Sequence, residues 1–253
     1  MKVRTATLIL VAGLLAVGCS AVPDEAAIVS PPAPERCAEP RRIVVGIDRT
    51  GSYQSFQSGR DQIASVIEWG GCPGDEIFLR WIQTNSYEPS AEILTLRLPS
   101  LRPRPTPSGL LNERRQSLAD QAAWVQRAQA FGAERLRVAS ELRAVTVTPA
   151  DGTDVFGFLA KAAEILANTP PGSLPVVIVA SDLEDTRGWD TNFDLAGAAV
   201  LVMAFEAEDP TSPKRLTWLE RFQHAGAGAI YFRDVSEPPE NALDLLFASA
   251  GMN

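Results

Sequence analysis

The stretch RRIVVGIDRTGS, residues 41–52, decides the fold. Its first half is a run of β-branched apolar residues, which is typical of a strand buried on both faces in a parallel sheet. The run ends in Asp48-x-Thr50-x-Ser52, which places one carboxylate and two hydroxyls at alternate positions. Alternate positions along an extended chain point the same way, so three oxygen groups are directed toward one point. Such donors suit a hard divalent cation. From this stretch alone, a turn in which Asp48 or Ser52 caps the next helix is an equally good interpretation.

Residues 1–18 have the pattern of a signal peptide: a basic start, then an apolar run from residue 5 to residue 18 that is too short to span a bilayer comfortably. The run ends in LAVGC, residues 15–19, which resembles the lipobox of bacterial lipoproteins. We therefore expect Cys19 to be lipidated, with an ordinary secretion signal cut nearby as the alternative. Either way the sequence predicts that the protein leaves the cytoplasm, and lipidation of Cys19 would hold it in the bacterial cell envelope.

The chain of 253 residues is acidic, with a formal net charge of −8. Removal of residues 1–18 would leave 21 basic against 31 acidic residues, a charge of −10. This balance argues against nucleic acid as a partner and against electrostatic binding to anionic lipid. Membrane attachment is therefore expected to come from the acyl chains alone.

With Cys19 assigned to lipid, Cys37 and Cys72 form an even pair. A disulfide between them is the expectation for an oxidising compartment, and two free buried thiols are the alternative. The segment 19–40 is rich in proline and alanine and is predicted to be an extended, lipidated tether.

The remainder, residues 41–253, is predicted to be one α/β domain, because strand-like runs alternate with helical periodicity. We expect a doubly wound, mostly parallel sheet of six strands with helices on both faces. After the first strand, the predicted strands are Glu76–Ile82, an edge strand Ala91–Leu98, Val176–Ala180, Ala199–Phe205 and Ala229–Phe232. Residues 108–147 are predicted to be a helical insertion, which is either one helix over 112–145 or a helix pair divided near Gly132.

Two strand ends carry the same chemistry. The first strand leads into Asp48, Thr50 and Ser52, and the fourth ends next to Asp182. Thr153 lies in the loop before the helix that leads to the fourth strand. Because the carboxyl ends of parallel strands meet at the topological switch point, we expect these five oxygen groups to converge there.

This pattern resembles the von Willebrand factor A (VWA) domain family and its metal-ion-dependent adhesion site, Asp-x-Ser-x-Ser, then a threonine, then an aspartate. Asp48, Thr50 and Ser52 match the first element, Thr153 the second and Asp182 the third. The resemblance implies that the hydroxyls touch Mg²⁺ or Mn²⁺ directly, that the aspartates act directly or through water, and that an Asp or Glu carboxylate of a protein partner fills an open position. It covers about residues 41–236.

The sequence departs from the family pattern at three points. Thr50 replaces the commoner serine, and Leu183 stands where glycine often follows the last aspartate. Thr153 follows Asp48 by 105 residues, a long interval that the insertion 108–147 explains.

Together with the expected lipid anchor at Cys19, the resemblance implies a membrane-tethered binding module that performs no bond chemistry. Two alternatives remain: a metal-dependent phosphohydrolase of Rossmann-like fold, for which the sequence names neither a general base nor an acid, and a structural lipoprotein with a degenerate site. Glu184, Asp185 and Asp190 are predicted to form a solvated rim.

Overall fold

The computed structural model describes residues 37–50, 56–105, 111–146, 148–188, 193–203, 205, 209–233 and 237–249. Its strands are β1 (Arg41–Asp48), β2 (Glu76–Ile82), β3 (Glu92–Arg97), β4 (Leu174–Ala180), β5 (Ala199–Met203) and β6 (Ala229–Phe232). They form one sheet in the order β3-β2-β1-β4-β5-β6. All neighbours are parallel except β3, which is antiparallel to β2. The predicted six-stranded, mostly parallel sheet is confirmed.

The sheet is built around β1. Val44 lies opposite Phe78 of β2 on one side and opposite Val177 of β4 on the other. Its apolar residues are buried, as the uninterrupted β-branched run predicts for a strand covered on both faces. The strand order therefore reverses between β1 and β4. Asp48 is the last residue of β1, and Asp182 comes two residues after the end of β4.

Helices cover both faces of the sheet. They are α1 (Phe56–Gly70), α2 (Leu111–Ala144), α3 (Val155–Leu166), α4 (Pro213–His224) and α5 (Ala242–Ser249). One buried apolar cluster joins the sheet to α1, α2 and α5, and a second joins the opposite face to α3 and α4. The doubly wound arrangement is thus confirmed. Within the described residues, none of the helices combines the length and the hydropathy that a membrane crossing requires.

The long helical candidate is one continuous helix of 34 residues. Gly132 does not interrupt it: this glycine is buried, and its neighbour Phe131 belongs to the apolar cluster that joins α2 to α1 and the sheet. A glycine inside a helix costs about 1 kcal/mol, which tertiary packing readily offsets. The helix lies within the predicted insertion, whose bounds at 108 and 147 stay a prediction.

Some strand ends differ slightly from the predictions. β4 begins two residues early, at Leu174, and β3 ends at Arg97, one residue short. β5 ends at Met203, before the predicted end at Phe205. β3 lies at the edge of the sheet, as predicted.

A disulfide closes the edge of the sheet where β1 and β2 begin. Cys37 and Cys72 are bonded, with their Cα atoms 5.4 Å apart, which confirms the predicted pair. A buried ion pair reinforces the same edge, because Arg41 Nη2 lies 2.5 Å from Asp75 Oδ2. The Asp75 carboxylate also accepts a hydrogen bond from the Cys72 backbone N–H at 2.8 Å.

Reduction of this disulfide is expected to lower stability markedly. The bridge joins residues separated by 35 positions, and a loop of that length corresponds to about 4 kcal/mol in the chain-entropy treatment, an upper value. Urea unfolding with and without reductant measures the loss. The matched control is Cys37→Ser/Cys72→Ala, whose midpoint should not respond to reductant. Two free thiols found by mass spectrometry in protein from the envelope would contradict the assignment.

Candidate metal site

Asp48 is the centre of the site. It is the last residue of β1 and is fully buried. Its Oδ1 accepts hydrogen bonds from the backbone N–H of Thr50 at 2.9 Å and from the Thr50 hydroxyl at 2.7 Å. Its Oδ2 accepts a hydrogen bond from Ser181 Oγ at 2.6 Å. Both carboxylate oxygens are therefore held by protein donors, which fixes the orientation of Thr50 and Ser181.

Backbone contacts bring the loop that carries Thr153 to this point. The backbone N–H of Ala150 donates to the carbonyl of Arg49 at 3.0 Å, and Thr50 and Ala150 form an isolated parallel bridge. The loop before α3 thus runs alongside the end of β1, although more than a hundred residues separate the two segments.

Thr153 has an unusual hydroxyl. Its backbone N–H donates to Thr186 Oγ1 at 3.1 Å, and its carbonyl accepts from that same hydroxyl at 3.0 Å. Its own Oγ1 is buried and has no hydrogen-bond partner among the described residues. A buried hydroxyl without a partner costs about 1–3 kcal/mol, so such an atom in a native fold calls for a ligand or another explanation.

Asp182 lies just past β4, next to the serine that binds Asp48. It is buried, and its Oδ1 accepts the backbone N–H of Glu184 at 2.9 Å. Asp48, Thr50, Thr153 and Asp182 thus all lie at the edge where β1 and β4 end, as the sequence predicts. Ser52 lies outside the described residues. That these residues bind a metal stays a prediction.

The two carboxylates share an unfavourable environment. Burial raises the pKa of Asp48, against its hydrogen bonds from Ser181 and Thr50, which lower it. Burial also raises the pKa of Asp182, and the nearby charge of Asp48 adds to the rise. A folded-state pKa above the unfolded value means that ionisation destabilises the metal-free fold as the pH rises through that interval. A cation between the two carboxylates would offset this destabilisation.

Asp185 was predicted to lie on a solvated rim, and that prediction is wrong. Its Oδ2 accepts the backbone N–H groups of Val155 at 2.7 Å and Phe156 at 3.3 Å, so the carboxylate binds the first turn of α3. A negative charge is favourable there, because the N–H groups at a helix start have no intrahelical partner. Glu184 is exposed, as predicted, and Asp190 lies outside the described residues.

Sequence reasoning gave no role to Ser181 and Thr186. Ser181 connects the two carboxylate loops through Asp48, and Thr186 holds the backbone of Thr153. Neither residue belongs to a spaced motif. Their roles depend on contacts between loops that are distant in the sequence, and a local sequence pattern does not predict such contacts.

Leu183 takes the backbone conformation that favours glycine. Its φ is +60°, in the left-handed region, and its side chain is buried in the core beneath α4. Its carbonyl accepts a hydrogen bond from Trp218 Nε1 at 3.1 Å. The loop therefore keeps the turn that a glycine would make, while the leucine side chain anchors it to the core.

We expect Leu183→Gly to destabilise the protein in spite of relieving this backbone. The relief is about 1 kcal/mol, whereas emptying a buried leucine site costs about 2–5 kcal/mol. Ala196→Gly is the matched control, because Ala196 also has a left-handed φ, of +53°, but is exposed. The Ala196→Gly substitution should stabilise the protein slightly. Chemical unfolding of both variants measures the difference, and a stabilised Leu183→Gly would show that the side chain contributes little.

The donors at this edge fit a hard cation. Among the residues that the structure describes, no three His, Cys, Asp or Glu side chains cluster in a way that could hold a metal ion. The candidate site has two carboxylates and several hydroxyls instead. Oxygen donors of this kind suit Mg²⁺ or Mn²⁺, and the Thr153 hydroxyl, which has no hydrogen-bond partner among the described residues, supplies one further oxygen.

The fold can be compared with known proteins. No protein-family model and no curated protein matches the chain. Among solved structures, it is similar to a VWA protein from Catenulispora acidiphila, with 18% identity, a TM-score of 0.43, and coverage of 84% of this chain and 43% of that one. The strand order and the helices on both faces agree with what the sequence resemblance implies.

Two further solved structures are similar to this chain. The pilus adhesin SpaC from Lactobacillus rhamnosus GG, in its open conformation, has 13% identity and a TM-score of 0.46, with 83% of this chain and 30% of that one covered. An aerotolerance-related membrane protein from Bacteroides fragilis has 12% identity and a TM-score of 0.44, with 84% and 100% covered. The chain spans less than half the length of the adhesin and of the Catenulispora protein. With TM-scores below 0.5, these similarities carry no argument about fold or function.

Proposed function

We propose that this protein is a membrane-tethered, extracytoplasmic binding module. In this proposal, its adhesion site binds Mg²⁺ or Mn²⁺ and, through the metal, an acidic group of a protein partner. The proposed ligand set is Asp48, Thr50, Ser52, Thr153 and Asp182. The observation that carries the proposal is the buried hydroxyl of Thr153, which has no hydrogen-bond partner within the described part of the chain and lies at the same edge as two buried carboxylates.

The proposed ligands differ in role according to their charge and their hydrogen bonds. Asp48 has both oxygens engaged by protein donors, so we assign it to supplying charge and to orienting the Thr50 hydroxyl. Asp182 supplies the second negative charge, and the hydroxyls of Thr50, Ser52 and Thr153 supply neutral oxygens. Two carboxylates balance a divalent cation, which when bound would present a positive centre to a carboxylate from the partner.

We propose binding without turnover. Asp185, a carboxylate that could otherwise serve as a base beside the site, is engaged by backbone N–H groups at the start of α3 and by those of Arg187 and Gly188 at 2.8 Å each. Hydrolysis of a generic phosphoester that requires Asp48 and metal would contradict this assignment and favour the phosphohydrolase.

The partner can be tested for directly. Tagged protein in native envelope extract should retain a partner with Mg²⁺ present and release it with chelator. Asp182→Asn, which keeps the shape of the side chain and its bond from Glu184, should fail to retain it. Retention by the variant, or retention that persists in chelator, would contradict binding through the metal.

The proposed location rests on the leader and the disulfide. A disulfide persists in an oxidising compartment, which agrees with export directed by residues 1–18. Cys19→Ser is expected to leave the protein unprocessed or to release it from membrane fractions, because the acyl anchor cannot form. Fractionation followed by mass spectrometry of the N-terminus checks this. An unlipidated N-terminus in a membrane-bound wild-type protein would remove the lipoprotein assignment.

A further inference from the structure

The first half of α2 extends past the rest of the domain. α2 runs antiparallel to α1, because Arg143 Nη2 contacts Glu68 Oε2 at 2.7 Å and Arg135 Nη1 donates to the Gly71 carbonyl at 3.4 Å. Gly71 directly follows the end of α1 and precedes the disulfide-bonded Cys72. Residues 111–127 therefore continue beyond that edge for about 25 Å, at 1.5 Å per residue. We call these residues, with Arg102 and Arg104, the arm.

The arm has apolar side chains that are exposed to solvent. Leu118 is 60% exposed and Val125 is 41% exposed. They are seven residues apart and so share one side of the helix. Trp124 connects α2 to the segment that contains Arg102 and Arg104. Its Nε1 donates to the Arg102 carbonyl at 2.8 Å, and the Arg104 guanidinium lies 5.6 Å from its ring centre.

The charge of the arm is opposite to that of the whole chain. Arg102, Arg104 and Arg127 are exposed, against one exposed carboxylate at Asp120. The sequence of the first turns of α2 adds two arginines and one glutamate. The arm is thus basic on a chain whose net charge is −8.

We propose that the arm docks on the surface of an anionic phospholipid bilayer. Arginine side chains are attracted to anionic headgroups, and the exposed side chains of Leu118 and Val125 suit the boundary between headgroups and acyl chains. The arm also projects from the edge where the chain enters β1, which is the edge that the tether would leave toward the membrane. A second copy of the chain fits less well, because pairing of two arms would bring like charges together.

This proposal revises the expectation that acyl chains alone attach the protein. The acidic net charge describes the whole chain, whereas a bilayer would meet only the arm. The proposal does not depend on the metal site, which lies at the opposite edge of the sheet, where β1 and β4 end.

Hydrogen–deuterium exchange of the full chain, mixed with vesicles, tests the arm. On phosphatidylcholine vesicles with about one-third phosphatidylglycerol, exchange over residues 117–127 should slow by about an order of magnitude, the effect of one or two arginines held near an anionic surface. Phosphatidylcholine alone should not slow it, and high salt should restore fast exchange. Arg102→Gln/Arg104→Gln should remove the effect. Arg97→Gln/Arg137→Gln, which alters exposed arginines outside the arm, should keep it.

Equal exchange on both vesicle types would overturn the proposal. Slowing that appears without vesicles and grows with protein concentration would overturn it in favour of pairing between copies. Slowing that the control pair abolishes as fully as the arm pair would show that general charge, rather than the arm, is responsible.

Discussion

Replacing Asp48 with asparagine is expected to abolish the rise in melting temperature that Mg²⁺ gives the wild-type protein. A cation that binds only the folded state at about 100 times its Kd stabilises by about 2.7 kcal/mol. For a domain of about 200 residues, this corresponds to about 5–10 °C. Asparagine keeps the shape of this fully buried side chain but removes its charge. Loss of the buried charge should raise the stability of the metal-free protein, and the increase in melting temperature on adding Mg²⁺ should disappear.

The chain offers a closely matched control for this variant. Asp209 repeats the local geometry of Asp48, since its Oδ1 accepts the backbone N–H of Thr211 at 2.8 Å and the Thr211 hydroxyl at 2.7 Å. Asp209 is exposed and belongs to no proposed ligand set. Asp209→Asn should therefore leave the Mg²⁺ response intact. If Asp48→Asn keeps the full response, the site has been placed on the wrong residues.

Thr153→Val is expected to separate metal binding from stability. Valine has nearly the shape of threonine and removes the buried hydroxyl, for which the described residues supply no hydrogen-bond partner. The metal-free variant should be as stable as the wild type or more stable, by about 1 kcal/mol, because an unsatisfied polar atom is lost. Its affinity for Mg²⁺ should fall by about tenfold or more, the effect of one lost ligand worth about 1.4 kcal/mol.

A threonine outside the site gives the opposite pattern. The Thr169 hydroxyl donates to the Leu166 carbonyl at 2.6 Å. Thr169→Val should lose about 1 kcal/mol of stability through that hydrogen bond and bind Mg²⁺ normally. Chemical unfolding and cation titration of both variants make the comparison. Unchanged affinity in Thr153→Val would show that its hydroxyl takes no part.

Local sequence patterns predict most of this fold because the central strands are continuous apolar runs. The run around Val44 can only be buried, and burial on both faces demands helices on both sides. The ends of β4 and β5 were less predictable, since pairing with a neighbouring strand extends or shortens a strand regardless of its own residues. Gly132 illustrates the same limit inside a helix, where packing on α1 offsets a weak local propensity.

The candidate site was predictable to the extent that it follows strand ends. Asp48, Thr50 and Asp182 come directly after buried runs, so topology alone brings them to one edge. Asp185 was not predictable, because its contact with α3 joins residues about thirty positions apart through a loop turn. The left-handed backbone conformation of Leu183 was not predictable for another reason, because leucine normally avoids that conformation.

Calorimetric titration of the wild-type protein with Mg²⁺ and Mn²⁺ tests the central claim most directly. We predict uptake of one divalent cation per chain, tighter when an acidic peptide is present and lost in Asp48→Asn. No uptake at millimolar cation, even with the acidic peptide, would contradict the adhesion site and leave a structural lipoprotein as the better account.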